Sequence, residues 1–212
     1  MEKETSFCDF KELIKVLPVE NQAALIKKDT WYNRFPEHKD LFKDIFTENE
    51  IEISRNDILH ERDCEKKLLM TLMWGYPIGG RGHNMQKVLQ SLPETLGIMS
   101  ANQNNDFDEQ GIKDLIKKLE NIKGMGMSTW SKLLFFFNIS IDKNKCQIYD
   151  EKIVASLNRK QFSELNEKDD WKHSSNYYYK YVQKINGWAN ELEVLPEQLE
   201  IFLFYYNFSY KL

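Results

Sequence analysis

Two glycines spaced one residue apart, then a serine and a threonine, make up the segment of this sequence best suited to hold a phosphate: Ile122-Lys123-Gly124-Met125-Gly126-Met127-Ser128-Thr129. Ile112, Leu115, Ile116, Leu119 and Ile122 recur at helical spacing before it, and Trp130, Leu133, Leu134 and Phe137 after it. The spacing predicts helices at about 111–121 and 127–138, joined by a tight hairpin at 122–127. The first turn of the second helix leaves N–H groups unpaired at the positive end of its dipole, which suits an anion. Gly124 and Gly126 permit close approach, and Ser128 and Thr129 offer hydroxyls. Lys123 belongs to a local excess: residues 111–132 hold five lysines against two carboxylates, a net of +3 that steers nucleic acid toward the hairpin. A plain helical hairpin with a glycine C-cap accounts for the two glycines equally well.

Asp150 lies 22 residues beyond Ser128, in Gln147-Ile148-Tyr149-Asp150-Glu151-Lys152-Ile153-Val154. Taken alone it reads as the N-cap of a short helix, since aspartate accepts the orphan N–H groups of a first turn. A second glycine cluster stands in Trp74-Gly75-Tyr76-Pro77-Ile78-Gly79-Gly80-Arg81-Gly82-His83-Asn84. It suits a loop that approaches DNA, with Arg81 on a phosphate or an orphaned base, Trp74 or Tyr76 stacking, and His83 nearby. An ordinary turn with Trp74 in the core and His83 capping a helix fits equally.

The elements that must position these residues are helical. From residue 61 on, the apolar residues repeat with helical spacing, interrupted by short breaks carrying Gly, Pro, Asn or Asp, so the fold class is mainly α with at least seven helices. Tyr178, Tyr181, Val182, Ile185 and Trp188 form one buried stripe, and Leu195, Leu199, Phe202 and Leu203 another. Residues 1–60 are read as helical, although Ile51 and Ile53 alternate as in a strand. The domain reading is an N-terminal segment, 1–60, packing on a helical domain, 61–212. Composition removes other classes: 42% apolar and 29% charged residues with no apolar run near ~20 residues describe a soluble globular chain with no membrane partner. The N-terminus has no secretory signal pattern, which places the protein in the cytoplasm. The net charge of −4 resides in residues 1–60, where nine Lys/Arg meet thirteen Asp/Glu. Cys8, Cys64 and Cys146 are too scattered for a disulfide framework or a zinc site.

The hairpin followed by an aspartate at a helix start resembles the helix-hairpin-helix DNA glycosylase superfamily. Leu72-Met73-Trp74-Gly75-Tyr76-Pro77, Ser131-Lys132-Leu133-Leu134-Phe135-Phe136, Ile148-Tyr149-Asp150, the Tyr-rich stretch 177–188 and Pro196-Glu197-Gln198-Leu199-Glu200-Ile201-Phe202-Leu203 narrow the resemblance to 8-oxoguanine DNA glycosylase-like prokaryotic proteins, over about residues 60–206. It implies a two-lobed helical fold with the active site in the cleft between lobes, and a DNA glycosylase that flips a damaged or modified base out of double-stranded DNA and hydrolyses its N-glycosidic bond. Asp150 is then the catalytic carboxylate, and the base is 8-oxoguanine-like or a hypermodified one such as a glucosylated cytosine of phage DNA. Superfamily members that also cut the strand carry a lysine two residues after the second glycine. Ser128 stands there in this chain, which implies a monofunctional enzyme leaving an abasic site. Lys132, one turn on, is the alternative lyase nucleophile; a solvated or phosphate-contacting lysine is its ordinary reading. Some relatives carry an iron–sulfur cluster, but the three scattered cysteines cannot supply its four closely spaced thiolates, so none is expected and no cofactor is required. The resemblance allows a Na or K ion on the carbonyls of Glu120, Ile122 and Met125, with the amides of Gly124, Gly126, Ser128 and Thr129 facing the phosphate. A monomer is expected. The competing reading is a non-catalytic DNA-binding module in which Asp150 only caps.

Overall fold

The structure, a computed structural model, describes residues 5–80, 82–165 and 170–209. After a 3-10 turn at Phe7–Phe10, the chain forms α1 (Lys11–Lys15), β1 (Ala23–Lys27), α2 (Lys28–Arg34), α3 (Lys39–Phe42), β2 (Glu50–Ser54) and α4 (Arg55–His60). Then follow α5 (Cys64–Gly75), α6 (Asn84–Gln90), α7 (Leu92–Asn102), β3 (Asp106–Phe107), α8 (Glu109–Glu120) and α9 (Met127–Phe136). The chain closes with β4 (Ser140–Ile141), β5 (Asn144–Lys145), α10 (Glu151–Asn158), α11 (Tyr178–Leu192) and α12 (Pro196–Ser209). The fold is mainly α, and no helix among the described residues is long and apolar enough to cross a membrane.

Local chemistry sets the helix starts. Asp63, Asp108 and Asp150 cap α5, α8 and α10 with their carboxylates, and Ser54 and Asp57 form a reciprocal capping box on α4. The centre of the molecule is α9, whose residues are all buried except Ser128. A helix buried on every side has to be surrounded, and α5, α8 and the run 146–149 all contact it.

Residues 1–60 depart from an all-helical reading. β1 and β2 pair antiparallel with Leu25 opposite Glu52 and Ile26 opposite Ile51. The alternation of β2 leaves Glu50 exposed and buries Ile53, while the β1 sequence Ala-Ala-Leu-Ile-Lys has no such alternation and is strand only because β2 and α5 pair and pack with it. A second small sheet runs β3–β4–β5, with Asp106–Phe107 parallel to Ser140–Ile141.

The N-terminal residues share the core with the C-terminal helices. Phe7 and Phe10 pack against Phe162 and Phe202. Arg55 makes a bidentate ion pair with Glu200 of α12, at 3.0 and 3.2 Å, both side chains being 1% exposed. Its Nε donates to Gln22 Oε1 at 2.6 Å, and the guanidinium lies over Trp74 and Phe135. Burial pushes the Glu200 carboxyl up from the ordinary value, and Arg55 acts against that shift. Removing one partner leaves a buried charge alone, at a cost of about 3–5 kcal/mol. Glu200→Gln should therefore lower the urea midpoint strongly, whereas Arg55→Met with Glu200→Met should lose much less. Equal losses in the two variants would show that packing, not charge, dominates here.

Candidate active site

The hairpin between α8 and α9 closes with the Met125 amide donating to the Ile122 carbonyl at 3.0 Å. Gly124 has φ +84°, and a Cβ there would overlap the carbonyl oxygen of Asn84 and come within 3.1 Å of Lys87 Cβ. Its glycine is required by conformation and by contact with α6. Nothing lies within 4 Å of a Cβ built at Gly126, the N-cap of α9, so that face is open. The amides of Gly124, Gly126, Met127 and Ser128 find no acceptor among the described residues, which leaves a row of donors at the amino end of a ten-residue helix.

Thr129 departs from expectation. Its amide donates to the Gly126 carbonyl at 2.8 Å, and its hydroxyl shares a 2.7 Å hydrogen bond with the Tyr76 hydroxyl, so both groups are occupied inside the protein. Lys123 is exposed beside the hairpin, and so is Lys87, which the sequence reading missed. Only the Gly124–α6 contact brings Lys87 to this place. Ile122 O already accepts a bond, whereas the carbonyls of Glu120 and Met125 accept none from the described residues, so this set retains lone pairs for a monovalent cation.

Asp150 is placed by α11. Asn186 Nδ2 donates to the Lys145 carbonyl at 3.3 Å, Tyr178 Oη to that of Gln147 at 2.9 Å and Tyr181 Oη to that of Ile148 at 2.8 Å. The Tyr149 amide donates to Ser131 Oγ on α9 at 3.1 Å, and the Tyr149 ring stacks on Tyr181 at 4.4 Å. The tyrosine-rich helix thus satisfies the carbonyls of the extended run that ends at Asp150. Burial drives the Tyr178 and Tyr181 hydroxyls well above their ordinary pKa, so they remain donors. Asp150 Oδ1 accepts the amides of Lys152 and Ile153 at 3.0 and 3.2 Å. Its Oδ2 stands 3.9 Å from Lys132 Nζ.

Lys132 is not a solvated lysine. Its side chain is 8% exposed, and its ammonium donates to the Ser128 carbonyl at 2.9 Å and lies 5.5 Å from the centre of the Tyr76 ring. The structure therefore brings Lys132, Asp150, Tyr76 and the open amides together at one end of α9.

Other expected contacts lie elsewhere. Trp74 is a packing residue: its Nε1 donates to the Gln22 carbonyl at 3.1 Å and its ring meets Phe136 edge-on at 5.3 Å. Neither leaves it free to stack on a base. His83 is exposed at the N-cap of α6, but its side chain makes no capping bond. Arg81 lies outside the described residues. The loop around it is tied to α2, with Trp31 Nε1 donating to the Pro77 carbonyl at 3.0 Å and Arg34 to the Gly82 carbonyl at 3.3 Å. Cys8, Cys64 and Cys146 are free, and burial pushes the Cys146 thiol up to about 12.

His173 is not legible in the sequence, because no motif surrounds it. Its Nε2 shares a 3.2 Å hydrogen bond with Ser128 Oγ. Two anchors hold it there: Trp171 and Asn158 exchange hydrogen bonds, and Tyr149 Oη donates to the Lys172 carbonyl at 3.0 Å.

A family model described as "Putative 8-oxoguanine DNA glycosylase OGG-like protein" matches residues 17–204. The match spans most of the chain, and the protein belongs to this DNA-glycosylase-like family. It begins at residue 17, so it takes in most of the segment for which the motifs alone carry no resemblance. No curated protein and no solved structure matches the chain.

Burial holds the His173 imidazole below the ordinary histidine value; Glu151 and Asp150 act in the opposite direction, and Lys132 adds to the lowering. A depressed pKa in the folded state means that the unfolded chain binds the proton more readily. The neutral ring's contribution is thus present above about pH 6.5 and is lost as pH falls through the folded value. His173→Gln should make the melting temperature fall less steeply between pH 7.5 and 5. A profile superimposable on the unmodified protein's would show that the ring is not held neutral.

Proposed function

We propose that this protein is a DNA glycosylase that releases a damaged or modified base from double-stranded DNA by hydrolysis of the N-glycosidic bond, leaving an abasic site. The observation that carries the reading is Asp150 itself, with one carboxylate oxygen fixed by two amides and the other turned toward Lys132 at the end of α9 that carries the open backbone donors. The amides of Gly126, Met127 and Ser128 suit a DNA phosphate, with Lys123 and Lys87 adding positive charge on either side of the hairpin. A Na or K ion on the carbonyls of Glu120, Ile122 and Met125 would add positive charge at the same place.

With the strand held there, the target nucleotide swings out of the stack and its C1′ comes to the Asp150 carboxylate. As the C1′–N bond lengthens, C1′ acquires oxocarbenium character, which the carboxylate stabilises. Water attacks C1′, its proton passes to a nearby base such as Asp150 Oδ2, and the nucleobase leaves with the bonding electron pair. An 8-oxoguanine-like base and a hypermodified cytosine are the two substrate classes in view.

A second reading is favoured by the burial of Lys132 next to Asp150. A lysine amine so placed can attack C1′ in place of water, with Asp150 taking its proton, and the resulting Schiff base leads to strand cleavage. The two readings separate on treatment with alkali: monofunctional release nicks the strand only after alkali, lyase action without it.

Duplexes carrying 8-oxoguanine or glucosylated hydroxymethylcytosine should release base, and Asp150→Asn should lower single-turnover release at least about 100-fold. Full activity of that variant would overturn the catalytic role of Asp150 and leave a binding module. Lys123→Ala and Lys87→Ala should each reduce the slope of log Kd against log salt by about 1, with little change in release at saturating protein.

A further inference from the structure

We propose that Gly75 and Tyr76, at the end of α5, are positioning residues that turn the Lys132 amine toward Asp150. The inference rests on the second reading above, in which Lys132 is the reacting amine beside Asp150.

Lysines on helices ordinarily run their stems along the surface and leave the ammonium in water. Lys132 does the reverse, and the cause lies on a neighbouring helix. A Cβ built at Gly75 would stand 2.8 Å from Lys132 Cδ and 3.1 Å from Cε, so the lysine stem occupies the volume that any side chain at position 75 would need. Gly75 is the last residue of α5 and does not have positive φ; the backbone therefore sets no demand for glycine there. Glycine within a helix is less favourable than alanine by about 0.5–1 kcal/mol. What the position gains is passage for Lys132.

Tyr76 completes the channel. Its hydroxyl is tied to Thr129 Oγ1 at 2.7 Å, on the first turn of α9, and its ring stands below the ammonium at 5.5 Å. The amine is thereby bounded by the Ser128 carbonyl, the Tyr76 ring and Asp150 Oδ2. This also explains the Thr129 hydroxyl, which holds the ring rather than a phosphate.

Gly75→Ala separates positioning from folding. The added methyl is compatible with the helix and meets only a flexible side chain, so the fold should survive with a cooperative melting transition while Lys132 is displaced. Two measurements follow. Brief acetylation with acetic anhydride, read by peptide mass spectrometry, should label Lys132 at least fivefold faster in Gly75→Ala than in the unmodified protein, with exposed Lys123 as internal reference.

The second probe is a duplex with a single abasic site. Lys132 Nζ adds to its C1′ aldehyde, water is lost to give the C=N bond, and sodium borohydride supplies the hydride that reduces this bond to a stable amine. Trapping should fall at least fivefold in Gly75→Ala and in Tyr76→Ala, with Tyr76→Phe, which keeps the ring, restoring most of it. Unchanged acetylation and trapping in Gly75→Ala would overturn the positioning role. Trapping that persists undiminished in Lys132→Ala would instead overturn the reading of Lys132 as a reacting amine, and acetylation would still decide whether Gly75 and Tyr76 hold it.

Discussion

Behind the candidate site, a guanidinium and a carboxylate are buried together. Arg55 comes from the fourth helix and Glu200 from the last, and each is 1% exposed. Neither charge is tolerable in that place without the other, so the core closes only with α4 held against α12. The aromatic faces of Trp74 and Phe135 enclose the guanidinium, which couples the pair to α5 and α9. Trp74 is the residue before Gly75, and Phe135 lies on the same helix as Lys132. The ion pair therefore sits under both helices that define the channel of the lysine, and Gln22 links it to the N-terminal strands through Arg55 and Trp74.

This arrangement changes what the charge of the chain means. The excess of carboxylates in residues 1–60 weighs against a DNA partner only if those residues face the DNA. They contribute the β1–β2 sheet, whose Glu50 and Lys27 pair with one another at 2.8 Å, and the buried Arg55. The open amides, Lys123 and Lys87 gather at the α8–α9 hairpin. Screening over roughly 8–10 Å makes the local balance, not the sum, the quantity a phosphate senses.

The sequence carries what depends on neighbours in the chain. Helical spacing on both sides of Gly124 and Gly126 is enough to place α8, the hairpin and α9, and an aspartate before Ile153 and Val154 is enough to place the start of α10. Whatever depends on partners distant in sequence was hidden. β1 has no alternation of its own and exists through β2. The sequence fits Trp74 equally to stacking or to the core, and Gln22, 52 residues earlier, decides it by taking its N–H. Thr129 looked like a phosphate ligand until Tyr76 took its hydroxyl, and His173 had no motif to mark it. In the sequence Gly75 stands in one cluster with Gly79, Gly80 and Gly82. Those three have positive φ, whereas Gly75 is helical and serves a side chain 57 residues away.

Asp150 shows why capping and chemistry need not compete. A capping aspartate engages N–H groups through one oxygen, an arrangement worth about 1 kcal/mol, and here Oδ1 accepts both amides. That bond fixes χ1 and so aims Oδ2 at Lys132, a precision that an unanchored carboxylate would have to gain by losing side-chain entropy on binding substrate. The run leading to Asp150 is fixed in the same way, its carbonyls bound by Asn186, Tyr178 and Tyr181 and its Tyr149 amide by Ser131. Cap and run together make the position of one oxygen atom a property of the folded chain before DNA arrives. Asparagine caps as well as aspartate, so exchanging one for the other removes the charge at Oδ2 and leaves this scaffold standing.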